Sequence, residues 1–182
     1  MNMQRDNVTQ RQRLWLLVIT CLGHSVKHIY NAGFFIILPE LKQSLQLTNA
    51  GVGTISMGRN ISGGIGNFPW GFLSDRFSHQ FVTILAVGMI LIGITHSVFG
   101  FVTSYWQAFA MAAISHIAIG SWHPAAIGSL ARVFADKRGF AISIHGIGAS
   151  IGETIGPIFV GALLSFTVWQ SILHWGLVPA LL

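Results

Sequence analysis

The sequence predicts an all-α membrane protein, with five full transmembrane helices and a sixth cut short where the chain stops. Three observations carry that prediction. Of the 182 residues, 52% are hydrophobic and only 8% charged, against about 25% charged in a soluble domain, and the mean hydropathy is +0.64. A water-soluble surface has no material to be built from. Apolar stretches of about 20 residues, the length a helix needs to cross roughly 30 Å of hydrocarbon, recur along the chain with short charged segments between them. Finally, ten basic residues stand against five acidic ones, giving a pI of 10.2. A nucleic-acid binder needs basic patches in a polar surface, so the excess is read as membrane topology. The single cysteine, Cys21, lies in an apolar run and excludes an intrachain disulfide framework.

Residues 1–13 form a polar, basic tail. The apolar run behind it is too long for a signal-peptide core and has no small-residue cleavage site, so it stays attached as the first span, 14–39. The second span covers 51–73 and the third 81–102. The fourth covers 106–133, where Pro124 removes a backbone donor and is expected to kink the helix. The fifth covers 139–166. The last begins near Ser171 and reaches Leu182, too short to cross. A helix interrupted in lipid leaves backbone groups unsatisfied, which points to a piece of a longer protein, one open to being inactive alone. Arg5, Arg11 and Arg13 precede the first span, Arg76 lies in the second connection, and Arg132, Lys137 and Arg138 lie in the fourth. Lys42 in the first is balanced by Glu40, and the third and fifth connections carry no charge. The positive-inside rule therefore predicts a cytoplasmic N-terminus. Connections this short leave no room for an extramembrane active site, and no enzyme activity is expected.

Polar groups at membrane depth cost a few kcal/mol or more each, so they face a cavity or a partner. Along the first span Thr20, His24, Lys27, His28 and Asn31 share an arc of about 100°, forming a polar stripe that suits a helix–helix seam or the wall of a water-lined pathway. Glu153 is the only acidic residue deep in any span. Making and breaking a Glu153–Lys27 pair would couple proton binding to conformation; a permanent pair would be structural. Arg59, about two turns inside the second span, attracts an anion or holds helix carbonyls. His116, His123 and His145 add three more titratable groups. His24 and His28 have the i, i+4 spacing of a metal-ligating pair, yet no cysteine or carboxylate stands beside them and Lys27 adds positive charge. Neither a bound metal nor a cofactor is expected, and a histidine-ligated membrane redox or metal protein is kept as the minor alternative. Gly148, Gly152 and Gly156 recur every fourth residue, and Gly63, Gly66 and Asn67 share one side of the second span with Arg59. Such smooth faces pack closely or slide during a cycle.

Two motifs then carry a resemblance. Gly71-Phe72-Leu73-Ser74-Asp75-Arg76-Phe77-Ser78-His79-Gln80, between the second and third spans, resembles the loop motif G-x-L-a-D-R-x-G-R-K of the major facilitator superfamily. Gly71, Leu73, Asp75 and Arg76 match, while Ser78, His79 and Gln80 replace Gly, Arg and Lys. Gly152-x-x-x-Gly156-Pro157-x-x-Val160-Gly161 is similar to the superfamily's antiporter motif, with Val160 replacing one glycine and Ser143 at the upstream glycine. His116 stands where a basic residue of the fourth helix is expected. Within the superfamily, the run Gly120 to Ala126, Arg132, Arg138-Gly139, His24 and Leu38-Pro39 resemble the fosmidomycin-resistance-type drug-efflux subfamily. His28 stands where those relatives often have an Asp, which moves the expected proton site to Glu153.

The resemblance runs from about Leu14 to the end of the chain. It implies the N-terminal six-helix half of a twelve-helix transporter, which requires a C-terminal half as partner. It also implies alternating access about a central site walled here by spans one, two, four and five. In the loop motif it implies a cytoplasmic latch, where Gly71 permits tight approach and Asp75 bonds the donors of a neighbouring helix start. The implied function is proton-coupled export of a small drug-like or anionic compound, such as an antibiotic, across a bacterial inner membrane. Proton-coupled uptake is the alternative, and nucleic acid is excluded as a partner.

Overall fold

Every regular element is helical in the computed structural model, which describes residues 9–181. Residues 1–8 of the polar tail, Arg5 among them, and Leu182 lie outside the described residues. Helix α1 spans Gln10–Ser44. It starts before the apolar run because Thr9 and Gln12 cap it reciprocally: the Thr9 hydroxyl accepts from the Gln12 amide, and the Gln12 side chain accepts from the Thr9 amide at 2.8 Å. Helix α2, Asn49–Arg76, is capped by Thr48, which accepts from the Gly51 amide at 3.0 Å. A 3-10 turn at Ser78–Gln80 leads into α3, Phe81–Phe99.

The stretch expected as one fourth span is two helices, α4 at Tyr105–Gly120 and α5 at Trp122–Val133. The break falls at Ser121, one turn before Pro124. A proline ring collides with the carbonyl four residues back and leaves it without a donor, and for Pro124 that residue is Gly120. The fifth stretch is α6, Arg138–Leu164, with Pro157 inside it. The sixth, expected as one helix from Ser171, is divided into α7, Trp169–His174, and α8, Leu177–Ala180. The Tyr30 hydroxyl donates to the Gly176 carbonyl between them. Gly176 also lies so close to α3 that a Cβ there would sit 3.1 Å from that of His96.

Among the described residues, two helical segments are long and apolar enough to cross a membrane, Ser78–Phe99 and Arg138–Leu164. Helices α1 and α2 have the length but carry polar residues along one side, and α4 and α5 are each too short once separated. The bundle pairs α1 with α6 and α2 with α4, while α3 packs on α4 and α5 and is met by α7 and α8. Glycine makes both pairings possible. Gly148 backs onto the Cys21 carbonyl and Gly152 onto that of Ser25, and a Cβ at Gly156 would lie 3.1 Å from Ile29 Cα. This is a parallel register, and the Ser25 hydroxyl ties it by donating to the Gly148 carbonyl at 2.8 Å. On α2, Gly63 faces His116, and a Cβ at Gly66 would lie 3.1 Å from Ile117 Cα.

Apolar clusters fill the bundle, one around Phe34, Leu41, Ile55 and Phe99, another around Ile84, Ile92, Ile119 and Trp122. Outside, Trp15, Ile65, Phe68, Phe72, Ile158 and Phe159 are exposed. Lipid solvates such a surface, whereas in water it would drive association.

Candidate functional site

The polar stripe of α1 is turned inward: Thr20, His24, Lys27 and His28 are all buried. The glycine face of α6 lets α1 come close enough for these side chains to meet α5 and α6. His24 Nδ1 lies 2.8 Å from the His145 carbonyl, and His145 Nδ1 lies 3.1 Å from the Thr20 carbonyl. Carbonyls only accept, so both Nδ1 atoms carry protons and donate. The two rings stack, with centroids 3.9 Å apart and planes 2° from parallel. His24 Nε2 faces His123 Nε2 at 3.0 Å and His28 Nε2 at 3.1 Å. Lys27 Nζ lies 3.3 Å from His28 Nε2 and 3.4 Å from His123 Nδ1.

These partners assign the remaining protons. An ammonium only donates, so His28 Nε2 and His123 Nδ1 both accept from Lys27. His123 then carries its proton on Nε2 and donates to His24 Nε2. His28 carries its own on Nδ1, 3.0 Å from Glu153 Oε1. The groups form one chain from the Glu153 carboxylate through His28, Lys27, His123 and His24 to the His145 carbonyl.

The expected Glu153–Lys27 pair does not form. Gly152 sets α6 against Ser25 and the Cβ of His28, which places the next residue, Glu153, beside His28. Lys27 is about 100° further round α1 and points toward α5. The difference in environment is large: Lys27 is 4% exposed, the Glu153 side chain 58%.

Asn31 and Arg59 make a second, separate group. Arg59 is 1% exposed. One Nη donates to Asn31 Oδ1 at 2.8 Å and to its carbonyl at 3.2 Å, and the guanidinium lies over the rings of Phe34 and Phe35, 4.4 and 5.1 Å from their centroids. Of the two roles considered for Arg59, holding a helix carbonyl is the one this geometry displays. Arg59→Lys keeps the charge but loses the planar face that stacks on Phe34. It is expected to destabilise the α1–α2 contact by about 1–3 kcal/mol, read as a lower thermal unfolding midpoint in detergent. His116 backs onto Gly63 of α2, apart from the other histidines, and its Nδ1 has no hydrogen-bond partner among the described residues.

The loop motif is only partly engaged. The Leu73 carbonyl accepts from the Phe77 amide at 3.0 Å, and Arg76 lies over the Phe77 ring at 5.5 Å. A Cβ at Gly71 would meet nothing within 4 Å among the described residues. Asp75 is exposed and makes no hydrogen bond or ion pair among the described residues. In the antiporter-like run Gly152 and Gly156 pack on α1, Pro157 is half-buried, and Gly161 faces open space. The convergence of His123 and His145 on His24 is what the sequence reading missed. Its one available signal was that His145 lies three residues before Gly148, on the face that seats α1.

A polar cluster buried between apolar helices is an arrangement that membrane transport proteins use, among others. Residues 20–182 match the Major Facilitator Superfamily, and the chain belongs to that superfamily. It is similar to the membrane sensor protein UhpC of Salmonella typhimurium, 24% identical over 170 residues that cover 91% of this chain and 38% of the relative. It is also similar to the phosphoglycerate transporter protein of the same organism, 26% identical over 184 residues, covering 93% and 37%. A third relative is the probable 4-methylmuconolactone transporter of Cupriavidus pinatubonensis, 26% identical over 155 residues, covering 82% and 36%. The chain thus spans less than two fifths of the length of these relatives. Membership makes it an integral membrane protein of a transporter family rather than an enzyme, with the all-α, six-helix fold of a major-facilitator half.

Proposed function

We propose that the chain is the N-terminal half of a proton-coupled exporter of the fosmidomycin-resistance type, working by alternating access with a second six-helix half. In this reading it expels a small drug-like or anionic compound across a bacterial inner membrane, its N-terminus on the cytoplasmic side. The observation that carries the proposal is the contact between Glu153 and His28 at 3.0 Å. It joins the one carboxylate of α6 to the buried polar stripe of α1, so protonating Glu153 removes the charge that faces His28 and loosens that link between the two helices. The antiporter-like run on α6 supports exchange for protons, and the run Gly120 to Ala126 supports the subfamily. Lys27 and Arg59 supply buried positive charge that favours an anion, in keeping with one relative's being named for phosphoglycerate, itself an anion.

Everted membrane vesicles acidified inside by respiration test the direction and the coupling together. Adding a transported carboxylate or phosphonate to the medium is expected to release protons, read as recovery of a quenched acid-sensitive dye. Uptake by symport predicts no such recovery on addition from that side, and transport of the compound without proton movement would contradict the coupling.

A further inference from the structure

We propose that His24, His123 and His145 form a binding site for a divalent transition-metal cation of the zinc class, with Lys27 as the group that opposes its entry. The three histidines come from three helices, α1, α5 and α6, and offer ligand atoms that all lie within 4.8 Å of one another. Tetrahedral zinc with Zn–N bonds of 2.0–2.1 Å holds its ligand nitrogens about 3.4 Å apart, and His24 Nε2 and His123 Nε2 already stand at 3.0 Å.

The outer hydrogen bonds fit as well. A metal-bound imidazole donates its other N–H to a carbonyl or carboxylate, which fixes the tautomer and the ring. His24 does this with the His145 carbonyl and His145 with the Thr20 carbonyl, each leaving Nε2 as the lone-pair nitrogen. His145 is 2% exposed, and its Nε2 has no hydrogen-bond partner among the described residues. That nitrogen keeps a lone pair free for a ligand, as an ion site beside His24 and His123 requires. His28 stays outside the set because its Nε2 faces the Lys27 ammonium at 3.3 Å and its Nδ1 lies 3.0 Å from the Glu153 carboxylate. Imidazole donors select the zinc, copper, nickel and cobalt class over magnesium and calcium, which take oxygen ligands.

Two features oppose the ion. Lys27 donates to His123 Nδ1 and so keeps the His123 proton on Nε2, the nitrogen a metal needs. The His145 ring lies parallel to that of His24 and must turn out of its stack to ligate. An ion bound there ties α1, α5 and α6 together. That it would halt rocking rests on the alternating-access reading above; the binding itself does not.

Purified protein in lipid nanodiscs, titrated with Co²⁺, tests the site by visible absorption. The expected result is the intense d–d band of four-coordinate, nitrogen-ligated cobalt. His123→Gln and His145→Gln are expected to abolish it, and His96→Gln, on α3, to leave it intact. Lys27→Met is expected to tighten binding at least about tenfold, since it removes a unit charge beside the incoming cation. A gain of affinity does not arise from misfolding, so this variant decides the matter even if a histidine variant fails to fold. No cobalt band in either the unsubstituted protein or Lys27→Met overturns the site, as does a band that survives His145→Gln in a folded protein. Proton-coupled transport without cobalt binding would sink this inference alone and leave the transport reading standing.

Discussion

Gly152→Leu should prevent α1 from seating on α6 and cost the protein its fold. A Cβ at residue 152 would collide with the Ser25 carbonyl and lie 2.7 Å from the Cβ of His28. One of these is backbone and the other is anchored at the root of its side chain, so neither can swing aside. The remaining atoms of a leucine would force the helices apart along the whole register that Gly148 and Gly156 share. That separation breaks the bond from Ser25 to Gly148 at 2.8 Å and the bond from His24 to His145 at 2.8 Å. Overpacking alone costs about 1–3 kcal/mol, and each buried polar group left unpaired adds about 1–3 kcal/mol. The expected outcome is loss of folded, detergent-extractable protein. Gly161→Leu is the control, since a Cβ there meets nothing within 4 Å, and it should be tolerated. Equal unfolding midpoints for the two variants would contradict the α1–α6 geometry.

Glu153→Gln should leave the protein folded and remove the coupling. The amide is nearly isosteric with the carboxylate and can still face His28 Nδ1, but it carries no charge and takes up no proton. Because the Glu153 side chain is 58% exposed, losing its charge beside the neutral His28 ring is expected to change stability by less than about 1 kcal/mol. Proton-coupled transport, by contrast, is expected to fall by on the order of a hundredfold, the scale of effect seen when an essential proton-transfer group is removed. Exchange of labelled for unlabelled substrate, which needs no net proton movement, should persist. A variant that retained full pH-gradient-driven transport would show that Glu153 is a structural partner of His28 and nothing more.

The helices were legible in the sequence because apolar length is a local property, and their limits were not because capping is a matter of single residues. Thr9 and Thr48 extend α1 and α2 beyond their apolar runs. Pro124 was rightly expected to disturb its helix, and the break fell one turn earlier, at the carbonyl its ring displaces. The division between α7 and α8 had a local signal of the same kind, since Pro179 denies a donor to the Trp175 carbonyl four residues back and Gly176 follows it, while the seating of Gly176 against Tyr30 and His96 joins residues distant in sequence.

The site divides in the same way. Helical periodicity placed Thr20, His24, Lys27 and His28 on one face, and the spacing of Gly148, Gly152 and Gly156 identified a close-packing face. Periodicity does not say which face meets which. One residue's rotation on α1 therefore decided that Glu153 contacts His28 rather than Lys27, and only the packing of α1 against α5 and α6 drew His123 and His145 into the cluster. His116 shares their residue type but backs onto α2 instead.

Simultaneous recording of substrate and proton movement in proteoliposomes under an imposed pH gradient separates antiport from symport and from uncoupled transport. With the interior acid, the compound should accumulate inside as protons leave. Reversing the gradient should reverse the flow, and Glu153→Gln should abolish both movements. Substrate accumulation that proceeds equally with and without the gradient would show that the protein does not exchange its substrate for protons.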